Sequence, residues 1–181
     1  MSIILYGSDT SSCTLRIIVA LEFKGIPYDY RAPTENMKLV PQINYDGRII
    51  GQSVAILEFI ETLFPYPPLY PNDPVVCAFI RELVQIIVAD TQPLQSHKFS
   101  VSVVGPNSRD VDAWKAKVIY RGFERYEQAL HKIHDEIEGN IWDICFNMAD
   151  VALYPQLLTA LRVGVRIEDF PLICHMMKRM F

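Results

Sequence analysis

Residues 66–71 read Tyr66-Pro67-Pro68-Leu69-Tyr70-Pro71, and no regular element can run through them. Proline has no N–H to donate, and its ring blocks the preceding turn of a helix. Three prolines in six positions therefore end whatever comes before and force a fresh start. The chain is cut into two parts with different periodicities. Upstream, short apolar runs alternate with one-sided helical stripes; downstream, only helical stripes follow. This predicts a small α/β domain over residues 1–66 and an all-α bundle over 72–181. With 181 residues, 50% of them hydrophobic, the chain has enough apolar surface for two cores.

In the upstream part, Ile3-Ile4-Leu5-Tyr6 reads as a buried strand closed by Gly7. Ile17, Ile18, Ala20, Leu21 and Phe23 then carry a helical stripe that stops at Gly25. Tyr28-Asp29-Tyr30 is a second strand. Gln42–Tyr45 and Arg48–Ile50 flank Asp46-Gly47, a hairpin signal because both turn positions tolerate positive φ. Val54, Ile56, Leu57, Ile60 and Leu63 give one more helix, ending at Phe64-Pro65. Downstream, Asp73-Pro74 opens one long helix with Val76, Phe79, Ile80, Leu83, Ile86 and Ile87 on its apolar face. Gly105-Pro106-Asn107-Ser108 separates it from a second, expected from Val111 to Glu138. A third starts at Asn147-Met148-Ala149-Asp150, a capping box in which cap and acid each bond the other's backbone N–H, with Phe146 and Val151 placed as a staple.

The turn Ser11-Ser12-Cys13, between the first strand and the first helix, is the candidate for chemistry. Hydroxyls and a thiol there lie beside free N–H groups and the positive end of a helix dipole, where an anion can rest or a thiolate can be held. The alternative is that Ser11 or Ser12 simply caps the helix. The formal charge of −4 and a pI near 5.5 without a basic stripe argue against nucleic acid as a partner. No apolar run approaches the ~20 residues that span a bilayer, and the N-terminus lacks a basic segment followed by a signal-like stretch. Cys13, Cys77, Cys145 and Cys174 form no CxxC pair and read as reduced thiols, so the expected location is cytoplasmic. His131 and His134 lie three apart on a charged helix face with no further ligands nearby, and no metal is expected.

The order of these motifs resembles the glutathione transferases, and more narrowly their zeta class, the maleylacetoacetate isomerase family. The residues that carry the resemblance are Ser11-Ser12-Cys13 with Arg16, Ala20-Leu21, Lys24-Gly25, Val40-Pro41, the run Gln52–Glu58 and Pro68–Pro71. In the second part they are Gln92-Pro93-Leu94-Gln95, Gly122-Phe123-Glu124, Met148-Ala149-Asp150, Pro155-Gln156 and Arg162-Val163. The resemblance implies a thioredoxin-like domain followed by a helical bundle, an active site in the cleft between them, and a homodimer. It implies glutathione as cofactor and a cis–trans isomerisation of an unsaturated dicarboxylate, by addition of a thiolate, bond rotation and elimination. Conjugation of glutathione to small electrophiles, or a non-catalytic binding protein on the same fold, are the alternatives.

By the same resemblance Ser11 donates its hydroxyl to the glutathione sulfur, and Ser12 and Cys13 complete the pocket around it. Cys13 as a redox nucleophile is the rival. Val40-Pro41 is implied to be cis and to pair with the cysteinyl unit; a trans proline at a strand start is the alternative. Gln52 and Ser53 open a helix whose free N–H groups suit the γ-glutamyl carboxylate, unless Ser53 is only a cap. Gln92 and Gln95 are implied to reach the cleft. Arg16, implied to meet glutathione as well, and Arg162 would take the substrate carboxylates, for which a guanidinium fork suits better than a lysine; Arg162 could equally serve a helix C-terminus.

Three departures stand out. Relatives place a helix between Tyr30 and Val40, where this chain has nine residues, enough only for an extended crossing of up to ~30 Å. The chain ends at Phe181, soon after Phe170-Pro171, where relatives continue with more helix. Ile18 stands where relatives often carry a second arginine, and Ile141-Trp142-Asp143-Ile144-Cys145 replaces a Gly-Asp turn.

Overall fold

The first structural element is set by alternation: on β1 (Ile3–Tyr6), Ile3 and Leu5 are buried while Ile4 and Tyr6 are half-buried. The computed structural model describes residues 2–137, 145–178 and 180. It divides into two compact units, Met1–Leu69 and Tyr70–Phe181.

In the first unit β1 is followed by α1 (Ser12–Phe23), β2 (Tyr28–Arg31), the hairpin β3 (Gln42–Tyr45) and β4 (Arg48–Gly51), and α2 (Ser53–Leu63). The sheet order is β2-β1-β3-β4, with β1 and β2 parallel and the other two pairs antiparallel. The hairpin turns through Asp46 and Gly47, both at positive φ, with the Asn44 side chain accepting from the Gly47 N–H at 2.8 Å. α1 and α2 pack on each other and share one face of the sheet, where Leu5, Ile17, Leu21, Ile43, Ile56, Leu57 and Ile60 are fully buried or nearly so. Tyr45 meets Phe59 of α2 edge-on at 5.2 Å between ring centroids. The opposite face carries Ile4, Tyr6, Arg31, Gln42 and Asn44. Residues 32–41 form no helix or strand, in line with the shortened crossing.

Lys24 closes this unit from below. Its buried ammonium donates to the Phe64 and Pro67 carbonyls at 2.8 and 2.7 Å and pairs with Glu61 at 2.7 Å, so a cation serves the orphan carbonyls at the end of α2. Glu61 in turn accepts from the Leu69 N–H at 2.9 Å, tying down the proline-rich segment.

The second unit begins with α3 (Pro74–Gln85), capped by Asp73, which accepts from the Val75 and Val76 N–H groups at 2.7 and 3.0 Å. The expected single long helix is not continuous. It widens into a π segment, Ile86–Thr91, and then re-forms as α4 (Gln92–Gln95). The Thr91 hydroxyl bonds back to the Ile86 carbonyl at 2.7 Å, and Gly122 sits so close that a Cβ there would collide with the Thr91 side chain. A further helix that periodicity does not announce, α5 (His97–Val104), starts at Ser96, whose hydroxyl accepts from Phe99 N. α6 runs Ser108–Glu136, opening on the Asn107 cap earlier than the periodicity alone indicates, while the expected terminus, Glu138, lies outside the described residues. α7 (Met148–Arg162) has the full capping box of Asn147 and Asp150, both buried. The segment Ile141–Ile144 before it lies outside the described residues. A single 3₁₀ turn, Ile167–Asp169, leads to α8 (Pro171–Met177), whose first N–H groups are capped from a distance by Glu127 (2.7 and 3.0 Å to Leu172 and Ile173). Among the described residues no helix is long and apolar enough to cross a membrane.

Candidate functional site

Strand register gathers the sequence motifs of the first unit at one end of its sheet. Tyr6 is opposite Arg31 on one side and Gln42 on the other, and Gln42 is opposite Gly51. That row ends β1 and β4 and begins β3. The Ser11 turn after β1, Val40-Pro41 before β3, and Gln52-Ser53 after β4 therefore all project beyond the same edge, where open α/β sheets hold ligands. The Val40-Pro41 bond is cis, as the resemblance implies, with Pro41 buried and Val40 half-buried.

Ser11 is the cap of α1, with its hydroxyl oxygen accepting from the Thr14 N–H at 3.2 Å and its own N–H donating to the Ser8 carbonyl at 2.9 Å. The cap uses one lone pair and leaves the O–H free to donate, so capping and anion binding are compatible. The N–H groups of Ser12 and Cys13, first and second in the helix, have no carbonyl within it to meet. Gly7 fixes the approach: a Cβ there would collide with Thr14 Cγ2 and lie 2.9 Å from Tyr30 Cε2. The Thr14 hydroxyl accepts from the Ser8 N–H at 3.3 Å, which ties the turn down.

At the second helix start the alternative reading, Ser53 as a cap, does not hold. Gln52 is the cap position, at φ 70°, with no side-chain cap bond, and Ser53 is the first helical residue. The Ser53 hydroxyl accepts instead from Arg16 Nη1 at 3.2 Å. A positive φ at glutamine is strained, and strain of that kind concentrates where a ligand is clamped.

Arg16 also departs from expectation. It is fully buried, not turned out toward a substrate carboxylate, with Nη1 shared between Ser53 and the Cys13 sulfur at 3.6 Å. Its Nε and Nη2 have no acceptor among the described residues. Burial lowers its pKa from the ordinary guanidinium value, an effect partly offset by Cys13. The donors at this end of the sheet suit an extended peptide carrying a thiol and carboxylates: a hydroxyl and two N–H groups for the sulfur, strand-like groups at Val40, and a helix start at Ser53.

In the second unit the two glutamines part company. Gln92 is half-buried at the start of α4, whereas Gln95 is buried and exchanges two side-chain hydrogen bonds with Gln156, at 2.7 and 3.0 Å. The amide of Gln95 is thus engaged at both ends by Gln156. Arg162 is exposed in the last turn of α7, a place where a cation also complements the helix dipole.

Comparison with known proteins gives a consistent set of relatives. The chain matches no family model. It is 34% identical over 197 aligned residues to maleylacetoacetate isomerase of Rattus norvegicus, a match spanning 97% of this chain and 86% of that protein. Among solved structures, a maleylacetoacetate isomerase from Anaeromyxobacter dehalogenans 2CP-1, with dicarboxyethyl glutathione and citrate bound in its active site, superposes with a TM-score of 0.82. The identity is 30%, over 97% of this chain and 84% of that one. A bacterial maleyl pyruvate isomerase, a glutathione transferase of the zeta class, superposes with a TM-score of 0.85 at 27% identity, over 96% and 89% of the two chains.

Proposed function

Given that the chain belongs to the maleylacetoacetate isomerase family of zeta-class glutathione transferases, we propose that it isomerises a cis-unsaturated diketo dicarboxylate of the maleylacetoacetate type with glutathione as cofactor. The reading is carried by one observation: Ser11, the cis Val40-Pro41 bond and Gln52-Ser53 converge beyond one end of the sheet. Bound glutathione supplies a thiolate that adds to the double bond, permits rotation about the single bond so formed, and leaves again unconsumed.

The residues of the chain make that thiolate available and hold it in place. An ordinary thiol has a pKa of about 8.5 and is mostly protonated at neutral pH. The Ser11 O–H and the N–H groups of Ser12 and Cys13, at the positive end of α1, favour the anion. Val40 offers its N–H and C=O for strand-like pairing with the cysteinyl unit, and the start of α2 at Ser53 takes the γ-glutamyl carboxylate. Gln52 is assigned to the polar lining of the ligand. Of the two arginines, Arg162 is exposed and is the one assigned to a substrate carboxylate, whereas Arg16 is wholly buried.

The test is turnover of maleylacetone, followed by loss of its absorbance, with glutathione far below the substrate concentration. Many turnovers per glutathione support an isomerase; consumption of one glutathione per substrate makes the protein a conjugating transferase instead. A homodimer and a cytoplasmic location belong to the same reading, to be checked by light scattering and cell fractionation.

A further inference from the structure

One guanidinium in the core of the first unit is only half satisfied. Arg16 has no exposed surface, yet only Nη1 finds acceptors, the Ser53 hydroxyl at 3.2 Å and the Cys13 sulfur at 3.6 Å. Nε and Nη2 meet nothing among the described residues. A buried charge is costly unless something compensates it. Among the described residues the groups around it compensate it only in part. On its own helix the neighbouring titratable group is Cys13, and from α2 it is faced by the neutral Ser53 hydroxyl. Of the acids later in α2, Glu61 is paired with Lys24, and Glu58 follows Ser53 by five residues. The sheet turns Leu5 and Ile43 toward this core. The cation is thus kept in place one turn from Cys13, ready for negative charge that arrives with a ligand.

We infer that Arg16 is a positioning residue that acts on the ligand without touching it: it ties Cys13 at the start of α1 to Ser53 at the start of α2, and lends its charge to the sulfur anion held at Ser11. The inference rests on the reading of this site as glutathione-binding. The two tied points are the sulfur turn and the carboxylate-binding helix start. A single side chain therefore fixes the distance between the two ends of the ligand, and in a low-dielectric core its charge is felt strongly at the helix start.

The experiment titrates the thiolate of protein-bound glutathione by ultraviolet absorbance, in the wild type and in Arg16→Met and Arg16→Lys, each first shown to unfold cooperatively. In Arg16→Met the midpoint should rise by about one unit, the low end of what loss of a nearby opposite charge produces. The acid limb of kcat/KM should move with it, for a loss of about tenfold on that limb. Arg16→Lys keeps the charge but loses the fork, so its midpoint should stay near the wild-type value while KM for glutathione rises severalfold. A folded Arg16→Met with an unchanged midpoint overturns the inference. If that variant does not fold, Arg16→Lys decides: a midpoint displaced by a full unit, or an unchanged KM, overturns it. Wild-type protein that binds no glutathione would sink the functional reading itself, a separate result.

Discussion

At Ser11 two demands fall on one hydroxyl, and the geometry lets both be met. The oxygen lone pair caps α1 through the Thr14 N–H, and the proton remains available to a sulfur anion. The two roles can be separated by substitution. Ser11→Ala should cost about 1 kcal/mol of stability through the lost cap and slow turnover by about 10² to 10³, the usual effect of removing one preorganised donor. Ser11→Gly should keep stability within a few tenths of a kcal/mol yet lose as much activity, measured by thermal unfolding alongside the isomerisation assay. Equal activity of Ser11→Ala and wild type would shift the role to Ser12 or Cys13. Gln52 makes the opposite case. Its φ of 70° is a conformation that glycine adopts freely. Gln52→Gly should therefore recover on the order of 1 kcal/mol of backbone strain, raising the melting temperature while KM for glutathione increases. A lower melting temperature would mean that the Gln52 side chain stabilises the turn. Ser11 is legible in the sequence because hydroxyls at a strand-to-helix turn are the signal itself. Nothing in a glutamine announces positive φ, so the strain at Gln52 is not. The burial of Arg16 is hidden for a similar reason, since an arginine near the start of a helix usually points to solvent.

At the scale of elements, the short link between β2 and β3 has a simple geometric account. β2 ends at Arg31 and β3 begins at Gln42, and both lie level with Tyr6 on β1. The link thus has to cross only two strand spacings, ~10 Å, and its ten residues are ample without a helix. Strand count, hairpin register and the capping box of α7 are all readable from sequence, because each rests on local chemistry: alternation, Asp-Gly, Asn and Asp three apart. The π segment and α5 are not, because both depend on partners far along the chain. Thr91 and Gly122 set the first, and the polar run His97-Lys98 conceals the second despite the Ser96 cap. Lys24 belongs with these distant effects. Replacing it by Met would leave the Glu61 carboxylate against the end of α2 without its cation, and removing one partner of such a pair typically costs about 3–5 kcal/mol. The double variant Lys24→Met/Glu61→Leu should recover part of that loss in denaturant unfolding. Additive losses would show that the ammonium stabilises through the Phe64 and Pro67 carbonyls alone.

For the whole molecule, the two compact units each have their own buried core: Leu5, Ile43, Ile56 and Ile60 in one, Ile80, Phe123, Leu130 and Leu153 in the other. The proposed glutathione contacts with Ser11, Val40 and Ser53 all belong to the first unit, so binding should stabilise that unit by mass action. At one hundred times its dissociation constant, a ligand that binds only the folded form adds about 2.7 kcal/mol. For a chain of this length each kcal/mol corresponds to roughly 2–4 °C, so saturating glutathione should raise a single cooperative transition by roughly 5–11 °C. If the units unfold separately, calorimetry will show two transitions, and only the one that disappears in a Ser53→Ala variant's ligand response should move. S-methylglutathione retains the peptide and both carboxylates but has no ionisable thiol. It should shift the transition less at the same concentration, and the gap between the two ligands should narrow as the pH falls and the bound thiolate is protonated. Equal shifts at every pH would show that the sulfur contributes nothing to binding, leaving a peptide-binding site with no device for making a nucleophile.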